Sequence, residues 1–261
     1  MVRAKLKAGF YSLTGCAGEY LAILSAEDKL LEIFDKIEVM DFALASSKKA
    51  HGKVDVAFVE GSVSTRKDLE TIKSVREKCG VLVALGDCAV WGGVQASLTD
   101  LDVKELMKSV YNTEENYYGF LGEHKAVSEV VEVDYELPGC PIEAEEFIEL
   151  LIDILRGVLP EFKDYPVCVE CKIREVPCLI IERGEACLGP ITVGGCKARC
   201  PYYNAPCIGC RGPIKDEANV AGELSMLLEK GWKKEDVVNR LKLFAARYKD
   251  ISKLIKGCVN G

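Results

Sequence analysis

Eight cysteines crowd one stretch of the chain: Cys168, Cys171, Cys178, Cys187, Cys196, Cys200, Cys207 and Cys210. Their spacing is C-x2-C-x6-C-x8-C, then C-x3-C-x6-C-x2-C. Eight thiolates divide into two sets of four, and four thiolates are what a 4Fe–4S cluster requires. Zinc also takes four cysteines and uses C-x2-C pairs, so the spacing leaves both metals open. The chain has 2 histidines, His51 and His124, and neither lies near the array. Ligation there must be mostly thiolate, which narrows the metals to zinc or iron–sulfur.

The remaining cysteines are isolated. Cys16 stands in "LTGCAGEYL", Cys88 in "LGDCAVWGG" and Cys140 in "LPGCP". Each follows an apolar run and has glycine nearby, which lets backbone and sulfide approach closely. Cys79 and Cys258 have no such setting and read as buried or incidental thiols. The 13 cysteines are too many for a reducing compartment without a use. The opening "MVRAKLKAGFYSL" has positive charge but no long apolar run and no small-residue cleavage pattern, so it does not read as a signal peptide. A cytoplasmic location is expected, with thiolates on metal rather than in disulfides.

Composition narrows the rest. With 49% hydrophobic and 29% charged residues, the 261-residue chain reads as soluble and globular. Its net charge of −7 carries no nucleic-acid footprint. No apolar run approaches the ~18 residues of a membrane helix.

These cysteines need elements to position them. Residues 1–158 alternate short apolar strands with amphipathic helices. "KAGFYSL", "KIEVMDFAL", "VDVAFVEG", "VLVALGDC" and "VDYELPGC" read as strands. "EYLAILSAEDKLLEIF", "TRKDLETIKSVREKC" and "IEAEEFIELLIDILRGV" read as helices. This order predicts an α/β domain, a doubly wound, flavodoxin-like parallel sheet covered on both faces. The polar segment "YNTEENYYGFLGEHKAVSE" reads as a surface excursion. Residues 159–261 change character. They open with an irregular segment rich in Cys, Gly and Pro, expected to be organised by bound clusters, and close with a helical tail.

In such a sheet, ligands bind beyond the carboxyl ends of the strands. Cys16 follows the first strand, Cys88 the fourth and Cys140 the fifth, and Glu60 ends the third. One cysteine alone would be ordinary core. Three at one sheet edge point to a shared metal site. A structural zinc has no use for a chain of sites, whereas a redox wire does.

The motifs "LTGC", "VDVAFVEGSVST", "LGDCAVWGGVQ", "LPGCP", "CLGPITVGGC" and "PCIGC" occur together and in order. In this the chain resembles the small subunit of NiFe hydrogenases. It is most similar to the delta subunit of archaeal cytosolic sulfhydrogenases and NAD(P)-linked hydrogenases. The resemblance runs from about residue 6 to about residue 215. It implies three 4Fe–4S clusters and an electron-transfer role. The proximal cluster would be held by Cys16, Cys88 and Cys140 and would face a separate NiFe large subunit. The distal cluster would take Cys168, Cys171, Cys178 and Cys187, with Cys168 where membrane-linked relatives have histidine. The medial cluster would take Cys196, Cys200, Cys207 and Cys210. Relatives lacking the cysteine at Cys200 carry a 3Fe–4S cluster. Flavin-containing and additional iron–sulfur subunits would complete the complex, and no catalytic side chain need reside in this chain.

One position departs from the family pattern. Where the family has the second cysteine of C-x-x-C, this chain has Glu19. Glu19 is expected as the fourth proximal ligand, since iron accepts a carboxylate. An open or water-bound iron is the alternative. Glu60 is expected to support the ligand loops rather than bind iron, and Asp87 to do likewise or to cap the following turn. The altered loop also raises a rival: the same wire in a hydrogenase-derived oxidoreductase that no longer oxidises hydrogen. A zinc-stabilised scaffold is the rival of a different class.

Overall fold

The computed structural model describes residues 5–47, 52–98, 102–215, 218–249, 251 and 253. His51, Cys258 and the end of the expected helical tail lie outside the described residues. The chain divides into two compact units, Met1–Pro160 and Glu161–Gly261.

The first unit contains strands β1 (Leu6–Ser12), β2 (Ile37–Phe42), β3 (Val54–Glu60), β4 (Val63–Thr65), β5 (Cys79–Leu85), β6 (Phe120–Lys125) and β7 (Tyr135–Leu137). Its helices are α1 (Gly18–Leu24), α2 (Asp28–Phe34), α3 (Arg66–Lys78), α4 (Gly86–Trp91), α5 (Val103–Tyr111) and α6 (Ala144–Arg156). Five strands form one sheet in the order β2-β1-β3-β5-β7, with every neighbouring pair parallel. This is the expected doubly wound α/β arrangement.

Central strand β3 shows why. Its apolar run is buried on both faces, as a parallel sheet flanked by helices requires. Val56 and Phe58 face one core, and Ala57 and Val59 the other. The first core stacks Phe10 on Phe42 and on Phe58, at ring-centroid distances of 4.4 Å and 5.1 Å. It is closed by residues of α1, α2 and α6. The second packs Leu82 and Ala84 against Ile72 and Val75 of α3 and Ala89 and Val90 of α4.

Two local expectations are corrected. The stretch "EYLAILSAEDKLLEIF" is two helices, α1 and α2, rather than one. The Ser25 hydroxyl donates to the Ala22 carbonyl at 2.7 Å, and Glu27 takes a φ of 48°. A serine that bonds locally offers the backbone an exit from the helix. The polar excursion also contains β6, which pairs antiparallel with β4 in a two-stranded ribbon. Its residues are only partly buried, so it shows no apolar run.

The second unit contains α7 (Val167–Ile173), α8 (Leu179–Arg183), α9 (Arg199–Tyr202), α10 (Val220–Glu229) and α11 (Lys234–Ala245). The cysteine-rich part is mostly loop with three short helices. Cys187 and Cys207 pack in a small core with Val167, Ile180 and Ala198.

Candidate metal centre

Because the five strands are parallel, their carboxyl ends share one edge. Glu60 is the last residue of β3, Cys16 lies in the loop after β1, Cys88 in α4 directly after β5, and Cys140 in the loop after β7. Backbone bonds tie these loops together. Leu13 N donates to Glu60 O at 2.9 Å, Thr14 N to Ser62 O at 3.2 Å, and Asp87 N to Gly139 O at 2.7 Å. A Cβ on Gly18 would lie 3.2 Å from Cys16 Sγ and 3.9 Å from Pro141 Cβ, so the first and last loops meet. Cys16 and Cys140 are exposed and Cys88 is partly buried.

Glu19 lies in the first turn of α1 and is 5% exposed. Its side chain packs on Gly86, beside Asp87 and Cys88. Burial, reinforced by the charge of nearby Glu60, raises its carboxyl to about 7. Glu60 is itself raised by burial, against a hydrogen bond from Ser12. Asp87 is 1% exposed, and neither carboxyl oxygen has a hydrogen-bond partner. Burial and then the Glu19 charge push it well above the carboxylate range. It therefore does not cap the turn that follows. Burial pushes the Cys88 thiol up to about 11, opposed by a hydrogen bond to Gln95 and reinforced by the charges of Glu19, Asp87 and Cys16.

These groups form a donor set that suits a positively charged iron–sulfur group. Buried carboxyls and thiols that raise one another's proton affinity are held as acids until a cation compensates their charge. The orphaned oxygens of Asp87 mark the same deficit.

In the second unit the first four cysteines of the array act on one another. Cys168 is raised to about 12 by burial, then by the charges of Cys171, Cys187 and Cys178. Cys171 is raised to about 11 by burial, then by Cys187 and Cys178. A Cβ on Gly189 would lie 3.4 Å from Cys168 Sγ and 3.6 Å from Cys187 Sγ, so this glycine leaves room between two thiols. Of the other four, Cys207 is pushed up by burial and feels the charges of Cys187 and Cys210. Cys196 lies within electrostatic reach of Arg211, and Cys200 sits in α9. The two sets touch where Cys207 N donates to Cys187 Sγ at 3.1 Å.

Among the described residues, no three of His, Cys, Asp and Glu are gathered around a single-ion position.

Three residues here escaped the sequence reading. Glu170, between the cysteines of "CVEC", accepts from Gly195 N at 2.7 Å and Ala198 N at 3.0 Å. It fixes a loop in which Lys197 and Ala198 have φ of 55° and 48°. Arg211 is 2% exposed and donates from Nε to Gly194 O at 2.9 Å. Glu223 of α10 is 3% exposed, has no hydrogen bond to its carboxyl, and lies within electrostatic reach of Cys168 and Cys187. The glutamate inside C-x-x-C was a readable signal for Glu170. Arg211 and Glu223 had none.

Residues 16–154 match the family model described as NADH ubiquinone oxidoreductase, 20 Kd subunit. The sulfhydrogenase 2 delta subunit of Pyrococcus furiosus is 42% identical over 240 residues, covering 92% of this chain and 99% of that protein. The chain belongs to this family as a hydrogenase small subunit. A solved NAD+-reducing NiFe-hydrogenase chain is 28% identical with a TM-score of 0.56, covering 61% of this chain and 96% of its own length. The actinobacterial-type NiFe-hydrogenase from Ralstonia eutropha H16 shares the fold at 16% identity, with a TM-score of 0.58 over 98% of this chain and 91% of that one.

Proposed function

We propose that this chain is the electron-transfer subunit of its hydrogenase complex and holds three 4Fe–4S clusters. The observation that supports this reading is the crowding of thiols in the second unit: Cys168 lies within electrostatic reach of Cys171, Cys187 and Cys178, and Cys171 within reach of Cys187, Cys178 and Cys196. Cys168, Cys171, Cys178 and Cys187 would hold the distal cluster, and Cys196, Cys200, Cys207 and Cys210 the medial one. Cys16, Cys88 and Cys140 would hold the proximal cluster, with Glu19 as its fourth ligand. When bound, the clusters supply one-electron transfer.

The protein's own residues position and tune. Cys207 N–H donates to the Cys187 sulfur, which draws charge from that ligand and raises its potential. Glu170 holds the loop carrying Cys196. The buried guanidinium of Arg211 offsets thiolate charge at Cys196. Glu60, bonded to Ser12, supports the proximal loops rather than binding metal. The implied partners are a NiFe large subunit, a flavin-containing subunit and further iron–sulfur subunits that lead to NAD(P) or a related acceptor. A reducing cytoplasm suits the free thiols. No helix among the described residues is long and apolar enough to cross a membrane.

Metal and sulfide analysis tests the cofactor reading. The expected result is a brown protein with about twelve irons, four per cluster. A colourless protein with about two zinc ions, one per four cysteines, overturns it. Glu19 in place of a family cysteine supports one second reading, a hydrogenase-derived complex that does not oxidise hydrogen. Hydrogen-dependent viologen reduction by the fully metallated complex decides between the two.

A further inference from the structure

A continuous chain of hydrogen bonds leaves the Cys88 sulfur and ends on His124. Cys88 Sγ lies 3.8 Å from Gln95 Oε1, and Gln95 Nε2 donates to Ser62 Oγ at 2.8 Å. Ser62 Oγ and Ser64 Oγ are 2.8 Å apart, and Ser64 Oγ lies 2.7 Å from His124 Nδ1. Both serines are 0% exposed, whereas the imidazole on β6 is partly open to solvent. Gly93 makes the first link possible. A Cβ there would lie 2.5 Å from Cys88 Sγ and 2.9 Å from Gln95 Oε1, so only glycine lets thiol and amide meet. The chain draws on α4, the short 3-10 helix Val94–Leu98, β4 and β6, elements distant in sequence. Its longer side contacts are from Gln95 Nε2 and from Ser62 Oγ to Thr14 O, each at 3.4 Å.

The order of donors and acceptors depends on the charge at Cys88. A protonated thiol donates to Gln95 Oε1, and every later link then points outward, so that Ser64 donates to His124 Nδ1. A thiolate, the form that a cluster ligand takes, only accepts. The Gln95 amide must then turn its Nε2 to the sulfur. Its Oε1 accepts from Ser62, Ser62 accepts from Ser64, and Ser64 accepts from Nδ1–H of His124. The more negative the sulfur, the more strongly this inward order is held. An imidazolium, which donates from both nitrogens, locks it in.

Resting on the reading of Cys88 as a proximal ligand, we propose that His124 is a proton-binding site coupled through Ser64, Ser62 and Gln95 to the charge on the Cys88 sulfur. One electron taken up by the cluster that Cys88 would hold, from hydrogen or dithionite, favours one proton taken from solvent at Nε2, the imidazole nitrogen that does not face Ser64. One N–H bond forms, the inward order of Nδ1–H, Ser64, Ser62 and Gln95 tightens toward the sulfur, and no heavy-atom bond changes. The coupling is reciprocal: a proton on His124 favours reduction by the same factor.

Of the other charged groups around His124, Lys125, Glu123, Asp68 and Glu129 have partners. Lys125 and Glu123 on its own strand pair at 2.7 Å. From the β4 side, Asp68 accepts from Ser64 N, Thr65 N and the Thr14 hydroxyl. Arg66, which follows β4, donates its backbone N–H to Gly119 O. Glu129, beyond β6, accepts from Ala126 N. The 3-10 helix Val94–Leu98 carries no titratable residue, and the Phe120 ring stands edge-on at 4.8 Å. Burial is the cause that lowers the proton affinity of His124.

The test is an EPR-monitored redox titration of the intact complex between about pH 5 and about pH 8, a range that brackets the ordinary histidine value. The potential of the cluster bound by Cys88 is expected to rise on acidification. The slope is at most one tenfold change in the reduction equilibrium per pH unit, about 59 mV for one electron. His124→Gln and Ser64→Ala are expected to lose most of that slope while keeping the cluster signal. Ser64→Ala serves as the second break should His124→Gln fail to fold. A flat wild-type profile overturns the coupling, and so does a slope unchanged in both variants. Cys88→Ala separates the two levels. If every cluster signal survives in it, the ligand reading falls and takes the relay with it. If one signal is lost and the slope persists in the His124 and Ser64 variants, the relay alone falls.

Discussion

The Glu19 side chain packs directly on the backbone of Gly86, so that a methyl group at position 86 would overlap the carboxyl. Glu19 is thereby held against the start of α4, the helix that carries Cys88. Its place is set by the glycine that opens another helix, not by its own helix alone.

Gly86→Ala should therefore disturb Glu19 and the Cys88 loop together. Gly86 has a φ of 78°, where an L-residue is strained by about 1–2 kcal/mol. The added methyl must also expel the Glu19 carboxyl. The expected result is a lower melting temperature and loss of one cluster's EPR signal. A variant that keeps both would show that Glu19 can leave without consequence.

Glu19→Cys should keep the cluster assembled and lower its potential, because thiolate donates more charge to iron than carboxylate does. Potentiometric EPR of the proximal signal reads this directly. An unchanged spectrum and potential would remove Glu19 from the ligand set.

Glu170→Ala should leave the backbone donors of Gly195 and Ala198 buried without their acceptor. Each unsatisfied donor costs about 1–3 kcal/mol. The loop that carries Cys196 should loosen, and iron content should fall by one cluster. Glu170→Gln retains one acceptor oxygen and should recover part of the loss. Equal iron content in all three proteins would make Glu170 dispensable for assembly.

His124 provides a pH prediction of known sign. Burial lowers its proton affinity in the fold below the ordinary 6.5. The unfolded chain thus binds a proton more readily than the folded one as the pH drops. The contribution of His124 is fully present above about 6.5 and is lost as pH falls through the lowered value. Acid should therefore destabilise the wild type more than His124→Gln. Melting temperatures at about pH 7 and about pH 5, either side of the histidine value, give the comparison. An equal drop in both proteins would contradict it.

Much of the sheet was legible because β3 and β5 are short apolar runs on either side of α3, a helix of clear period. Their burial on both faces is what that pattern encodes. The break between α1 and α2 was hidden, since Ser25 and Glu27 sit inside an unbroken helical period. Strand β6 was hidden because its residues are only partly buried and carry no apolar run. The gathering of Cys16, Cys88 and Cys140 at one edge was readable from strand order alone, since parallel strands end on the same side.

The sequence by itself determined the parallel sheet, the placing of the isolated cysteines after its strands and the crowding of eight cysteines into one stretch. These follow from periodicity and spacing, which are properties of neighbours along the chain. Only the tertiary structure decided what surrounds those donors: Gly86 beneath Glu19, Glu170 across the Cys196 loop, Glu223 beside Cys168, and the serines leading from Cys88 to His124. Those contacts join residues far apart in sequence, and burial gives them their strength, because a polar group sealed from water must find its partner inside the fold.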